Sequence, residues 1–132
     1  MPAQLPIATT QKSQFLDITP VVQEYISEAK IVDGLAVVFV PHTTAGITIN
    51  EHADPDVRAD ILTHLEKIVP EKGTYRHAEG NSPAHIKASL MGSSVTVIIS
   101  GGRLQLGTWQ GIYFCEFDGP RHRNIWIRIL AK

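Results

Sequence analysis

Leu35-Ala36-Val37-Val38-Phe39-Val40 is apolar at every position and does not alternate with polar residues. A short apolar run rich in β-branched residues reads as a strand, and without alternation both of its faces are buried. Trp109 to Phe117 is also apolar on both faces and is turned by Asp118-Gly119-Pro120. Two such strands call for a sheet covered on each side by helices, by a second sheet or by another subunit.

Working outward, Pro41 to Gly46 break the first run, and Ile47-Thr48-Ile49-Asn50 then alternates as a half-buried strand does. Asp54-Pro55 is a helix start, with Asp as N-cap and Pro inside the first turn. Val57, Ile61, Leu62, Leu65 and Ile68 give that helix its apolar stripe, and Pro70 stops it. Residues 71–82 are polar, glycine-containing and aperiodic, which predicts a loop. Ser82-Pro83 opens a third helix that is expected to bury Ile86 and Leu90 and to stop at Gly92. On the N-terminal side, residues 1–10 read as a loose leader or an edge segment, and Gln11 to Ile18 as a strand. Thr19-Pro20 starts a helix with Val21, Val22, Tyr25, Ile26 and Ala29 on one face, and Asp33-Gly34 ends it. Ser94 to Ser100 is strand-like, Gly101-Gly102 is a hairpin turn into Arg103 to Leu106, and Arg123 to Ala131 places Ile125, Ile127, Ile129 and Ala131 on one face. About three helices and six or seven strands, joined mostly by short turns, predict an α+β fold with a mainly antiparallel sheet.

The 132 residues suit one domain, 1–132. With 43% hydrophobic and 19% charged residues, the composition excludes a disordered chain. Twelve basic and thirteen acidic residues give a formal charge of −1, which offers no footprint for nucleic acid or an anionic membrane and leaves little repulsion between copies. The single cysteine, Cys115, allows no intrachain disulfide and favours a reducing compartment. No apolar run is long enough for a transmembrane helix or a signal peptide. A cytoplasmic protein is therefore expected.

Three of the six histidines stand out. His42 ends the buried strand, where it either caps a turn with Thr43 and Thr44 or points into a pocket. His77 and His85 are separated by a loop and match no tight metal motif. His85 falls in the first turn of the third helix, where the dipole is positive and free amides suit a phosphate. Converging, the three imidazoles would suit a zinc ion with an open fourth position. Glu51, beside Asn50, is a candidate general base or carboxylate ligand, whereas Asp54 and Asp56 read as helix-start acids. Trp109 offers a face for a heteroaromatic ring, Gln110 an amide, and Arg103 a fork for a phosphate; core packing and a solvated hairpin are the plain alternatives.

Pro41 to Glu51 followed by Asp54-Pro55 and Val57-Arg58, the block from His77 through Gly80-Asn81 to Ala84-His85-Ile86-Lys87, and Ser94 to Ile112 with Gly107-Thr108-Trp109-Gln110 resemble three ordered motifs of the YjbQ family, also called UPF0047. The resemblance covers about residues 35–115. It implies a small α+β protein with a sandwich-like core that forms homotrimers. It implies a secondary thiamine-phosphate synthase activity, joining hydroxymethylpyrimidine diphosphate to a thiazole phosphate with release of diphosphate. His42, His77 and His85 become candidates for a divalent metal (zinc or magnesium) or phosphate site, Glu51 and Asn50 for catalysis, and Arg103, Trp109, Gln110 and Asn81 for substrate binding. The rival expectations are a zinc-dependent hydrolase with Glu51 as base, and a non-enzymatic trimeric module that binds a phosphorylated metabolite.

Overall fold

The computed structural model describes residues 2–132. In chain order the elements are β1 (Ala3–Ala8), β2 (Gln14–Asp17), α1 (Thr19–Glu28), β3 (Gly34–Phe39), β4 (Ala45–Glu51), α2 (Pro55–Ile68), α3 (Ser82–Met91), β5 (Ser94–Ser100), β6 (Arg103–Leu104), β7 (Gln110–Glu116) and β8 (His122–Ala131). The strands form two antiparallel sheets, a five-stranded one ordered β1-β8-β3-β5-β6 and a three-stranded one ordered β2-β7-β4. Ala3–Ala8 is an edge strand on β8, the second of the two readings of that segment.

Two cores explain the second of the strands without alternation. Ala36, Val38, Val97, Ile99, Ile125 and Ile127 of the large sheet meet Ile47, Ile112 and Phe114 of the small one, with Val22 and Ile26 of α1 closing the layer. The opposite face of the small sheet buries Phe15, Tyr113, Cys115 and Phe117 against Leu65, Ala84 and Ala88 of α2 and α3. The strand β7 is thus sandwiched on both sides. Each fully buried aliphatic or aromatic side chain contributes about 1.5–3 kcal/mol of transfer free energy. For β3 the inner face is covered, but the outer face is not. The register aligns Ile98, Leu35 and Leu130 in one row and Phe39 with Trp126 in another. Leu35, Ile98 and Leu130 remain 38%, 60% and 58% exposed.

The helix starts are partly corrected. Asp54 caps α2 as expected, accepting from the Asp56 amide. The cap positions of α1 and α3 are Ile18 and Asn81, one residue earlier than Thr19 and Ser82. The hydroxyl of Thr19 instead donates to Asp17 and accepts from the Ile112 amide, which ties β2 to β7. In α3 the buried residues are Pro83, Ala84, Lys87 and Ala88, while Ile86 and Leu90 face outward. The reason is close approach: a side chain on Gly46 would collide with the Gly92 carbonyl and Met91, so α3 must lie on β4 through its small residues. Lys87 tolerates burial because Glu66 and Glu71 pair with its ammonium. In α2, Ile68 is exposed and Val69 is buried in its place.

Candidate functional site

A cleft of about 630 Å³ opens where the end of β3, the β3–β4 turn, the start of α3 and the β7–β8 turn converge. Its polar lining includes His42, Thr43, Thr44, Asn81, His85 and Arg121, with Arg123 behind them. Pro41 breaks the strand and places His42 at the rim of the cleft.

The cleft stands on a buried ion pair that sequence reading missed. Glu116 and Arg123 are both buried. Arg123 Nε donates to Glu116 Oε1 at 2.8 Å, and its Nη2 donates to Glu116 Oε2 and to Thr44 Oγ1. Thr9 Oγ1 and the amides of Phe117 and Asp118 complete the carboxylate's donors. Burial alone would raise the Glu116 pKa, but Arg123 and these donors outweigh it and hold the carboxyl below its ordinary value. Gly119 fits only because it has no side chain: a Cβ there would meet the Gln11 carbonyl, Glu116 and Thr9. Beside this pair, Arg121 donates from Nε and Nη2 to Asp118 and is half exposed at the cleft.

The backbone amide of Asn124 donates to His42 Nε2 at 3.0 Å. An accepting Nε2 has no proton, so in the neutral ring Nδ1 carries it. Burial, with the positive charge of Arg123, holds the His42 pKa below its ordinary value and favours that neutral form. The ring is therefore a hydrogen-bond donor through Nδ1, and its one lone pair is already used. Across the cleft, Asn81 Nδ2 donates to Asp118, while Asn81 Oδ1 is buried without a partner among the described residues. His85 lines the cleft, and His77 packs edge-to-face on it with ring centres 5.4 Å apart. The amides of the α3 start contribute less than expected. Those of Ala84 and His85 bond back to the Asn81 carbonyl, and Pro83 has none.

These contacts test the expected metal. Zinc held by three histidines needs a lone pair from each, and the lone pair of His42 belongs to the Asn124 amide. Among the described residues no group of three His, Cys, Asp or Glu side chains is spaced to hold a metal ion. Of the carboxylates nearby, Glu116 and Asp118 are paired with arginines, and Glu79 is exposed, 3.7 Å from His77 Nε2. Among the described residues of one chain the three histidines are therefore not grouped as metal ligands.

The other expected residues lie elsewhere. Glu51 and Asn50 end β4, whose length of about 20 Å at ~3.3 Å per residue separates them from His42. The Glu51 carboxylate accepts from the Asp54 amide, and Asn50 Oδ1 accepts from the Glu51 amide, so both shape the turn into α2. Arg103 and Gln110 line a second cavity at that far end. Trp109 is exposed beside it and belongs to neither core.

Comparison with known proteins places this geometry. The family model described as UPF0047 protein YjbQ-like matches residues 3–132. A UPF0047 protein of Methanocaldococcus jannaschii is 54% identical over 95% of this chain and 91% of its own length. The UPF0047 protein YugU of Bacillus subtilis is 52% identical over 96% of this chain and 97% of its own. Among solved structures, an uncharacterized protein of the same family from Clostridium acetobutylicum superposes with a TM-score of 0.94 at 58% identity, covering 97% of this chain and 99% of that one. A YbjQ-like protein of unknown function from Sulfolobus solfataricus reaches a TM-score of 0.93 at 32% identity, over 98% of this chain and 96% of that one.

Proposed function

The chain belongs to the YjbQ-like UPF0047 family, and from that premise we propose that it binds a phosphorylated metabolite in the His42–His85–Arg121 cleft, where it carries a secondary thiamine-phosphate synthase activity. The observation that carries this reading is the lining itself: a cleft of about 630 Å³ with two histidines, two arginines and two threonines on its wall. Donors fixed by a buried network are preorganised, so they stabilise phosphate charge without a reorganisation cost. The departing diphosphate gains negative charge as its bond to the pyrimidine methylene breaks, and in this reading the half-exposed Arg121 guanidinium and the His42 Nδ1–H are the donors that meet it. The orphaned Asn81 Oδ1 suits an amino or hydroxyl donor on the ring of the substrate.

The hydrolase alternative needs Glu51 at the histidines, and Glu51 sits at the far end of β4. The binding module needs only the cleft. Homotrimer formation is supported by the outer face of the large sheet, where Leu35, Ile98 and Leu130 form an uncovered apolar row. The only thiol is buried in β7, which suits a reducing cytoplasm. No helix among the described residues is long and apolar enough to cross a membrane.

Thiamine phosphate formation by the purified protein, supplied with both precursors and magnesium, tests the proposal. The parent should turn over, and His85→Ala should lose at least about tenfold, roughly one charge-assisted contact. Full activity in His85→Ala would remove the site from this cleft. Saturable precursor binding without turnover by the parent would select the binding module.

A further inference from the structure

At the opposite end of the sandwich His52 and Asp17 form a pair that the proposed function does not use. His52 Nδ1 lies 2.9 Å from Asp17 Oδ2, with each side chain about one-third exposed. Asp17 is itself fixed, because the Thr19 amide and hydroxyl both donate to Oδ1, at 3.0 and 2.6 Å. A carboxylate accepts only, so Nδ1 carries the proton and the lone pair of the neutral ring is at Nε2. Among the described residues Nε2 has no protein partner. The ring is also seated by the backbone. The His52 amide donates to the Trp109 carbonyl, and a Cβ on Gly111 would lie 2.5 Å from His52 Nδ1. Only glycine at 111 lets the imidazole occupy this place.

The pair lines a cavity of about 320 Å³ with Arg103, Gln110 and the apolar side chains of Pro20, Leu104 and Leu106. The Arg103 guanidinium makes no ion pair or hydrogen bond among the described residues. Gln110 Oε1 accepts from the Gly107 amide, which orients the side chain and leaves its Nε2 amide donors free. One cation, one oriented amide donor and one oriented imidazole acceptor thus share a small, partly apolar cavity.

We infer that this cavity is a second ligand site, which takes a small oxyanion that also carries a hydroxyl, either a phosphate monoester or a hydroxycarboxylate. Arg103 and the Gln110 amide hold the oxyanion, and the ligand hydroxyl donates to His52 Nε2. Asp17 is a positioning residue that sets the tautomer of His52. The site stands independently of the cleft around His42, which lies at the other end of β4.

Titration with inorganic phosphate and, separately, with glycolate tests the inference, read from the imidazole nitrogen and proton resonances of His52 by NMR. The expected result is a saturable shift of Nε2 with one or both probes, weakened about tenfold in Arg103→Ala by loss of a charge-assisted bidentate contact. Phosphate alone assigns the phosphate class, and glycolate at least as strongly assigns the hydroxy acid. Acetate, which has no hydroxyl, should bind more weakly than glycolate. The response should persist in His85→Ala, which disables the other cleft and so separates failure of one site from failure of the other. No saturable His52 shift with either probe, an undiminished shift in Arg103→Ala, or a shift abolished by His85→Ala would each overturn the inference. Arg103 sits on an exposed hairpin, so its replacement leaves the fold intact.

Discussion

Replacing Glu116 with glutamine tests whether the buried ion pair builds the cleft. Glu116 is fully buried and accepts from Arg123 and Thr9 and from the amides of Phe117 and Asp118. Each carboxylate oxygen faces at least two donors. Whichever oxygen becomes an amide nitrogen therefore confronts N–H or O–H groups it cannot accept from, and Arg123 keeps a buried charge without a counter-ion. Breaking a buried pair on one side costs about 3–5 kcal/mol. At this chain length that is a fall in Tm of roughly 10–20 °C. Chemical and thermal denaturation of parent and Glu116→Gln measure it directly. The pH dependence carries the sign. The folded pKa of Glu116 is lowered from 4.5, so its contribution is present above that value and lost as pH falls through the lower folded value. The variant should lose that part of the acid sensitivity. A Glu116→Gln protein within about 1 kcal/mol of the parent would refute the reasoning, because a surface-like cost means the pair is not desolvated.

Three further predictions concern the cleft and the assembly. The imidazole of His42 should titrate with a midpoint below 6.5 by NMR, because burial and Arg123 disfavour its charged form; stability from this group declines as pH falls below 6.5 and levels off beneath the folded value. His42→Phe should cost about 1–3 kcal/mol in denaturation, as the Asn124 amide loses its acceptor. Ile98→Lys, on the exposed row with Leu35 and Leu130, should break the proposed trimer and leave a 14.5 kDa species in sedimentation while the far-ultraviolet circular dichroism stays unchanged.

Much of the fold was legible because hydrophobic periodicity and turn chemistry act locally. The Gly101-Gly102 turn closes the β5–β6 hairpin, with φ of 59° and 75° at the two glycines, as the sequence required. Leu35 to Val40 reads as buried on both faces, yet only its inner face is covered within the chain, and sequence cannot say who covers the other. In α3 the apolar stripe favours Ile86 and Leu90, whereas Gly46 on a distant strand demands the alanines. The site was harder to read for the same reason. His42, Asn81 and His85 do meet, but Arg121, Arg123 and Glu116 join them through strand pairing and a turn that local spacing does not encode. His52 gave no signal beyond its place after Glu51, because its partner Asp17 lies thirty-five residues away.

The most direct measurement is a crystal structure of the protein soaked with hydroxymethylpyrimidine diphosphate. Diphosphate density against His42, His85 and Arg121, with a ring donor at Asn81 Oδ1, is the predicted result. Density found only at the Asp17–His52 end, or a diphosphate bound without contact to His42, His85 or Arg121, would contradict the assignment of the phosphate site to this cleft.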